Sequence, residues 1–367
     1  MAIPIFNTYI DPTARESVLK VLESTFLSEG KIVSEFEQGI NKEFGIINTV
    51  ALNSGTTALH LALVLAGIGE GDEVILSPQT FVASGLVILQ QKAKPVFADI
   101  QYETGNICPL SIRSKLGPRT KAIMAVHWGG YPCDMDEITQ IANEHKLTVI
   151  EDAAHAIGAS YKGTPVGAIS PFTAFSFQAI KHLTTGDGGA LSCLDPAHYQ
   201  KAVTLRWFGI DRNNSAMSIL GERQYDITEM GYKYHMNDYA AALGVANLRH
   251  FRDRFDARLK IAARYRECLN GIPGITLFQN RADRQSAYWL FGFHVEKRED
   301  FILALKGRGV TASVVHQRID RNSVFNGIDR ELKAQTKFDE TQINIPIHDN
   351  LDESKVDHII DSIRKGW

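Results

Sequence analysis

Lys181 stands five residues beyond Ser176 in FSFQAIKHLTTGDGGAL (175–191), between a β-rich run and a glycine-rich turn. A lysine just past a strand end, in surroundings apolar enough to lower its pKa, can act as an amine nucleophile on a carbonyl. In an open loop the same lysine would only be a solvated charge. Asp152 closes the apolar run of VIEDAAHAIG (149–158), 29 residues earlier. Open α/β sheets bind ligands at that end of a strand. A carboxylate there pairs with a cationic group or has its pKa raised by desolvation, unless it is only a turn cap. His155 could donate to a ligand or be a satisfied core histidine. Further upstream, NSGTTALHLAL (53–63) passes from a strand end at Asn53 to a helix start at Gly55 or Thr56. Free N–H groups at such a start attract anions and threonine hydroxyls add donors, although Ser54 or Thr56 could simply cap the helix.

A sheet with intervening helices is needed to bring these segments together. Apolar spacing predicts helices over 12–26 and 34–44, with Ser34 and Glu37 spaced as a capping box. There follow a strand at 49–53, a helix at 56–66, a strand at 73–77 and a helix at 80–91. Strands at 95–100 and 121–128, a helix at 135–145 and a strand at 147–154 complete the alternation. Such β-rich runs separated by helices read as an α/β fold around a largely parallel sheet. Two more strands, 173–177 and 188–193, flank the lysine segment. Residues 237–269 read as one long helix bridging a large domain (1–245) and a smaller C-terminal α+β domain (246–367). The latter has strands near 288–295 and 310–315 and helices near 299–306 and 353–365.

Composition excludes several classes of function. The 367 residues are 44% hydrophobic and 22% charged, as in an ordinary soluble globular chain. A net charge of −3 gives no electrostatic case for nucleic-acid binding. Cys108, Cys133, Cys193 and Cys268 form no CxxC pair, against a disulfide framework or a compact metal motif. No metal is expected. The N-terminus shows no signal-peptide pattern and no window is long and apolar enough to span a membrane. A cytoplasmic protein without membrane attachment is the expectation.

The ordered segments FLSEGKIVSEFE, GDEVILSPQTFVAS, EDAAHAIGASYKGTPVG, FSFQAIKHLTTGDGG, MGYKYHMNDYAAALG and INIPIHDNLDESKVDHII resemble the DegT/StrS-type sugar aminotransferases, pyridoxal-phosphate (PLP) enzymes of fold-type I. The likeness runs from about residue 5 to 363. It implies a mainly parallel central sheet flanked by helices and transfer of an amino group to a keto sugar. Lys181 would form the Schiff base with the cofactor and shuttle the proton, and Asp152 would keep the pyridine nitrogen protonated. Phe81 would stack on the ring and His155 would lie near its hydroxyl. Thr56, Thr57 and Ser176 would hold the phosphate. His127 and Trp128 could line the pocket or pack in the core.

Many relatives read G-Y-N-Y-R where this chain reads GYKYH (231–235), and use the Asn on the neighbouring subunit's cofactor phosphate. Lys233 and His235 hold those places, and Lys233 can serve as a point charge. Asn237 is the better N-cap of the helix that follows. The resemblance thus implies a homodimer with shared active sites. A PLP-dependent sugar dehydratase would carry His at the Schiff-base position; the spacing K-x-L-T-T-G-D-G-G puts Lys181, not His182, there. A non-catalytic binding protein is the other rival. A nicotinamide enzyme is disfavoured, because GIGEG (67–71) lacks the G-x-G-x-x-G spacing. L-glutamate is the family's expected donor. Specificity for the keto sugar is expected in 206–226 and 314–325, both rich in Arg and Asn.

Overall fold

Short apolar runs form a seven-stranded sheet in the computed structural model, which describes residues 2–212 and 214–367. The strand order is Thr49–Leu52, Gly189–Cys193, Phe172–Ser176, Thr148–Asp152, Thr120–Val126, Glu73–Leu76 and Lys94–Phe97. The last five in that order run parallel; Gly189–Cys193 runs antiparallel to both of its neighbours. Helices such as Gly55–Leu65 and Met135–His145 cover the faces. Gly55–Leu65 is apolar nearly all round, and residues 58–63 are buried. A helix of that kind belongs inside the protein. The expected α/β class with a mainly parallel sheet is therefore present, and most predicted strands begin or end within two residues of the observed ones.

A second, antiparallel sheet of Ile275–Leu277, Phe291–Val295 and Gln342–Ile345 packs its apolar residues with Tyr265, Leu269, Phe301 and Ile359. The N-terminal residues reach this sheet's surroundings: Ile3 bridges Val310, and Phe6 stacks on Trp289 at 5.0 Å. None of the helices among the described residues is long and apolar enough to cross a membrane.

Three local expectations are corrected. The region 237–269 is two helices, Asp238–Leu248 and Phe251–Leu269. In a continuous helix the Asn247 carbonyl would accept the N–H four residues on; here the Arg254 guanidinium donates to it at 3.0 Å. The helix then restarts with Phe251 and Phe255 buried. Asn237 does cap the first helix, accepting from the Ala240 N–H.

The Ser34–Glu37 capping box does not form, because the helix already begins at Lys31. Asp238 takes over as the cap from 205 residues away, accepting from the N–H groups of Gly30 (2.9 Å) and Val33 (3.1 Å). A carboxylate suits a helix N-terminus. Glu37 instead accepts from the Ala51 N–H and pairs with Arg206.

Residues 310–315 form isolated bridges rather than a strand, since Val315 adopts φ 59° and turns the chain away from the sheet. Gln342–Ile345 takes the edge place beside Phe291–Val295.

Candidate active site

A cavity of about 360 Å³ opens at the C-terminal ends of the parallel strands. Thr56, Phe81, Asp152, His155, Ser176 and Lys181 all line it. Six residues spread over 126 positions of chain are thus brought to one hole, which is the outcome the motif order predicted. Thr57 and Lys233 are not among its walls.

The anion end is built locally. Ser54 caps the helix Gly55–Leu65, its Oγ accepting from the Thr57 N–H at 3.1 Å, and the Thr57 hydroxyl donates to Asn53 Oδ1 at 2.9 Å. Thr57 is thereby committed to shaping the turn. The N–H groups of Gly55 and Thr56, which have no acceptor within the helix, remain for a ligand. Glycine is required where the backbones meet: a Cβ on Gly189 would lie 2.4 Å from the Ser54 carbonyl carbon, and one on Gly55 would lie 2.9 Å from Ser176 Cβ. These close approaches set Ser176 against the helix start.

Asp152 is buried at the end of its strand. Ser84 Oγ donates to its Oδ2 at 2.7 Å, with the Thr80 hydroxyl 2.7 Å behind, and the Ala154 N–H donates to Oδ1 at 3.2 Å. Among the described residues the carboxylate's hydrogen-bond donors are uncharged, so acceptor capacity remains for a cationic nitrogen.

Lys181 sits in a tight turn, its N–H donating to the Gln178 carbonyl at 2.9 Å. Its Nζ lies 3.8 Å from the centre of the Trp289 ring. Burial pushes the amine down to about 7, against the opposing charge of Asp152. His155 stacks on the same Trp289 ring at 3.8 Å and 14°. Its Nδ1 is buried without a hydrogen-bond partner, and burial together with Lys181 holds the ring well below the usual histidine range. His182 points elsewhere: its Nε2 meets the Ala287 carbonyl at 2.8 Å, outside the cavity.

His127 and Trp128 do not line the cavity. His127 is fully buried, 2.7 Å from Glu151, and Trp128 is buried beside it. Of the two expected specificity segments, 314–325 contributes His316 to the cavity, whereas Arg318 is tied up in a bidentate pair with Asp320 (both contacts 2.6 Å). None of the described residues of 206–226 lines the cavity; Asn213 lies outside the described residues. Arg206 is buried between Glu29 and Glu37. Sequence reasoning missed Ser84 and Trp289. Ser84 lies one helical turn beyond Phe81 and could have been sought there; no spacing rule points to Trp289.

Lys233 is exposed, with Nζ 5.5 Å from the Trp207 ring and 5.6 Å from that of Phe208. Its backbone is tied to the anion end, because Asn53 Nδ2 donates to the Lys233 carbonyl at 3.1 Å.

The chain is similar to known proteins over nearly its whole length. The profile of the DegT/DnrJ/EryC1/StrS aminotransferase family matches residues 8–364. The spore coat polysaccharide biosynthesis protein SpsC of Bacillus subtilis is 36% identical over 361 residues, covering 95% of this chain and 93% of that protein. GDP-perosamine synthase of Caulobacter vibrioides is 32% identical, covering 96% and 94%. The crystal structure of the sugar aminotransferase CalS13 from Micromonospora echinospora matches with a TM-score of 0.95 at 32% identity, over the whole of both chains. A profile that runs almost end to end, with relatives this similar over nearly their full length, shows that the chain belongs to the DegT/DnrJ/EryC1/StrS aminotransferase family.

Proposed function

We propose that this sugar aminotransferase takes an amino group from L-glutamate and delivers it to a nucleotide-linked keto sugar in amino-sugar biosynthesis for a surface polysaccharide or secondary metabolite. PLP is the cofactor of the family, and the residues here fit it. The carboxylate with spare acceptor capacity, the free helix N-terminus and the unpartnered His155 Nδ1 are the groups such a cofactor needs. The observation that carries the reading is one depressed amine, Lys181, sharing a cavity with Asp152.

When bound, PLP supplies an aldehyde for the amino group and a ring that withdraws electrons from the reacting carbon. Lys181 Nζ, about half neutral near pH 7, would be the amine that holds the cofactor aldehyde and carries a proton. Asp152 would pair with the pyridine nitrogen and favour its protonated form. Thr56, Ser176 and the N–H groups of Gly55 and Thr56 would hold the phosphate, with Thr57 stabilising the turn beneath them. Phe81, half-exposed at the rim, covers the ring face. Lys181 in the cavity with His182 outside it supports transamination over dehydration. The test is colour: holoprotein should lose the absorbance of lysine-bound cofactor on addition of L-glutamate and regain it with an accepting keto sugar. No change with glutamate would remove the donor assignment.

We place the second half of the site on a partner protomer. Among the described residues lining the cavity, Lys181 is the sole Lys or Arg, which leaves a phosphate dianion short of counter-charge. Lys233 is exposed and available, and apolar side chains such as Ile219 and Leu220 stand fully or nearly fully in solvent, as expected of a surface awaiting a second copy. Lys233→Ala should weaken PLP retention without unfolding the chain. In a heterodimer of Lys233→Ala with Lys181→Ala, a contact in trans leaves one site intact and gives the other both defects, so about half the parental activity survives. Two singly defective sites would place Lys233 in cis. The free cysteines are consistent with a cytoplasmic location.

A further inference from the structure

The backbone that carries His316 is strained and held from several sides. Val315 is β-branched yet adopts φ 59°, a conformation disfavoured for such residues. It sits at the centre of a three-residue turn in which the His316 N–H donates to the Val314 carbonyl at 2.7 Å. Ser313 Oγ accepts from the Val315 N–H at 3.1 Å. Two fully buried amides, Gln79 and Gln342, each donate to the His316 carbonyl at 3.2 Å. A third, Gln335, donates to Gln79 Oε1 at 2.8 Å. Buried polar networks and strained turns persist where the surroundings over-determine them, and they cluster at ligand sites.

This framework delivers an imidazole to the cavity wall. The His316 ring lies 5.2 Å from Phe81, 5.9 Å from Trp289 and 6.0 Å from His155. One ring nitrogen is held by the Val315 backbone, and the partly exposed side chain lines the cavity. Burial and the neighbouring Lys181 push it down to about 4, so it is neutral at physiological pH. A neutral imidazole offers one donor and one acceptor. With the ring N–H turned to the Val315 carbonyl, the other nitrogen is an acceptor, which suits a sugar hydroxyl and is poorly matched to a ketone, phosphate or carboxylate oxygen. Asp152, Ser176 and the helix start at Gly55 and Thr56 belong to the seven-stranded sheet and the helix packed on it, whereas His316 enters from the C-terminal part of the chain.

Resting on the sugar-aminotransferase reading, we infer that His316 is a specificity-determining residue that hydrogen-bonds a sugar hydroxyl next to the reacting carbonyl, with Gln79 and Gln342 as its positioning residues. The test uses holoenzyme and a nucleotide-linked 4-keto hexose, alongside the same sugar lacking the adjacent hydroxyl. His316→Phe should lower kcat/KM for the hydroxylated sugar roughly 10- to 100-fold, mostly through KM, and leave the deoxy sugar little changed. His316→Asn should recover part of the loss, which a merely structural role would not permit. PLP content and absorbance should match the parent in both variants. Equal losses on both sugars, or loss of PLP instead of substrate recognition, would overturn the assignment while leaving the transaminase reading intact. A parent enzyme that aminates other carbonyl compounds but no keto sugar would overturn both.

Discussion

Replacing Lys181 by Ala should abolish the absorbance of lysine-bound cofactor and lower turnover by about 10⁴-fold or more, because one amine serves both as nucleophile and as proton carrier. The fold should survive. Lys181 lies on a cavity wall, and the elements around it are held by other bonds: Thr184 Oγ1 donates to the Phe177 carbonyl, and Asn247 Nδ2 donates to that of Thr184. PLP should still bind, through the helix start and Asp152, and absorb as the free aldehyde. His182→Ala is the control. It removes a buried bond to the Ala287 carbonyl, so melting temperature should fall, but the lysine-bound spectrum should remain. Borohydride reduction followed by peptide mapping should put the pyridoxyl group on Lys181; a label on any other lysine defeats the assignment. The rate at which apo-protein takes up PLP should also rise with pH through about 7, since the nucleophile is the neutral amine, whose share grows as its proton is lost. A rate that keeps climbing about tenfold per pH unit beyond about pH 8, without levelling off, would mean the amine is not depressed.

Asp152→Asn should bind PLP and fold nearly as the parent does, yet lose roughly 10²- to 10⁴-fold in turnover. The amide keeps the shape, and its oxygen can still accept from Ser84 or the Ala154 N–H. What it lacks is the negative charge that holds a proton on the pyridine nitrogen, without which the ring is a weak electron acceptor. A second readout separates this electronic role from simple damage. Asp152 opposes the fall of the Lys181 amine, so its neutralisation should move the pH dependence of PLP uptake to lower pH. If the variant transaminates at close to the parental rate, Asp152 does not pair with the ring. If it loses activity through failure to fold, its melting temperature will say so.

What the sequence by itself determined is local chemistry and its order. Apolar runs of four to seven residues marked the strands, and Asp152 and Ser176 were placed at strand ends because the run stops there. The start of the Gly55–Leu65 helix followed from a serine before an apolar helical run, a signal contained within four residues. The family resemblance places Lys181, not His182, at the lysine position, by its spacing from the adjacent glycine-rich turn. Asn237 as an N-cap was equally local.

Tertiary structure decided everything that depended on distant partners. The helix Lys31–Phe44 is capped by Asp238, which no capping-box spacing can encode. The break at residues 249–250 follows from Arg254 taking a carbonyl that helical periodicity assigned to Phe251. Trp289 and Ser84 reach Lys181 and Asp152 from separate elements, joined to them only by the folded chain. His316 faces the cavity because buried amides from three distant positions hold a turn that Val315 would not adopt by preference. The lysine's depressed pKa belongs to the same class: enclosure sets it, and enclosure is a property of the packed walls, not of the residues beside it in the chain.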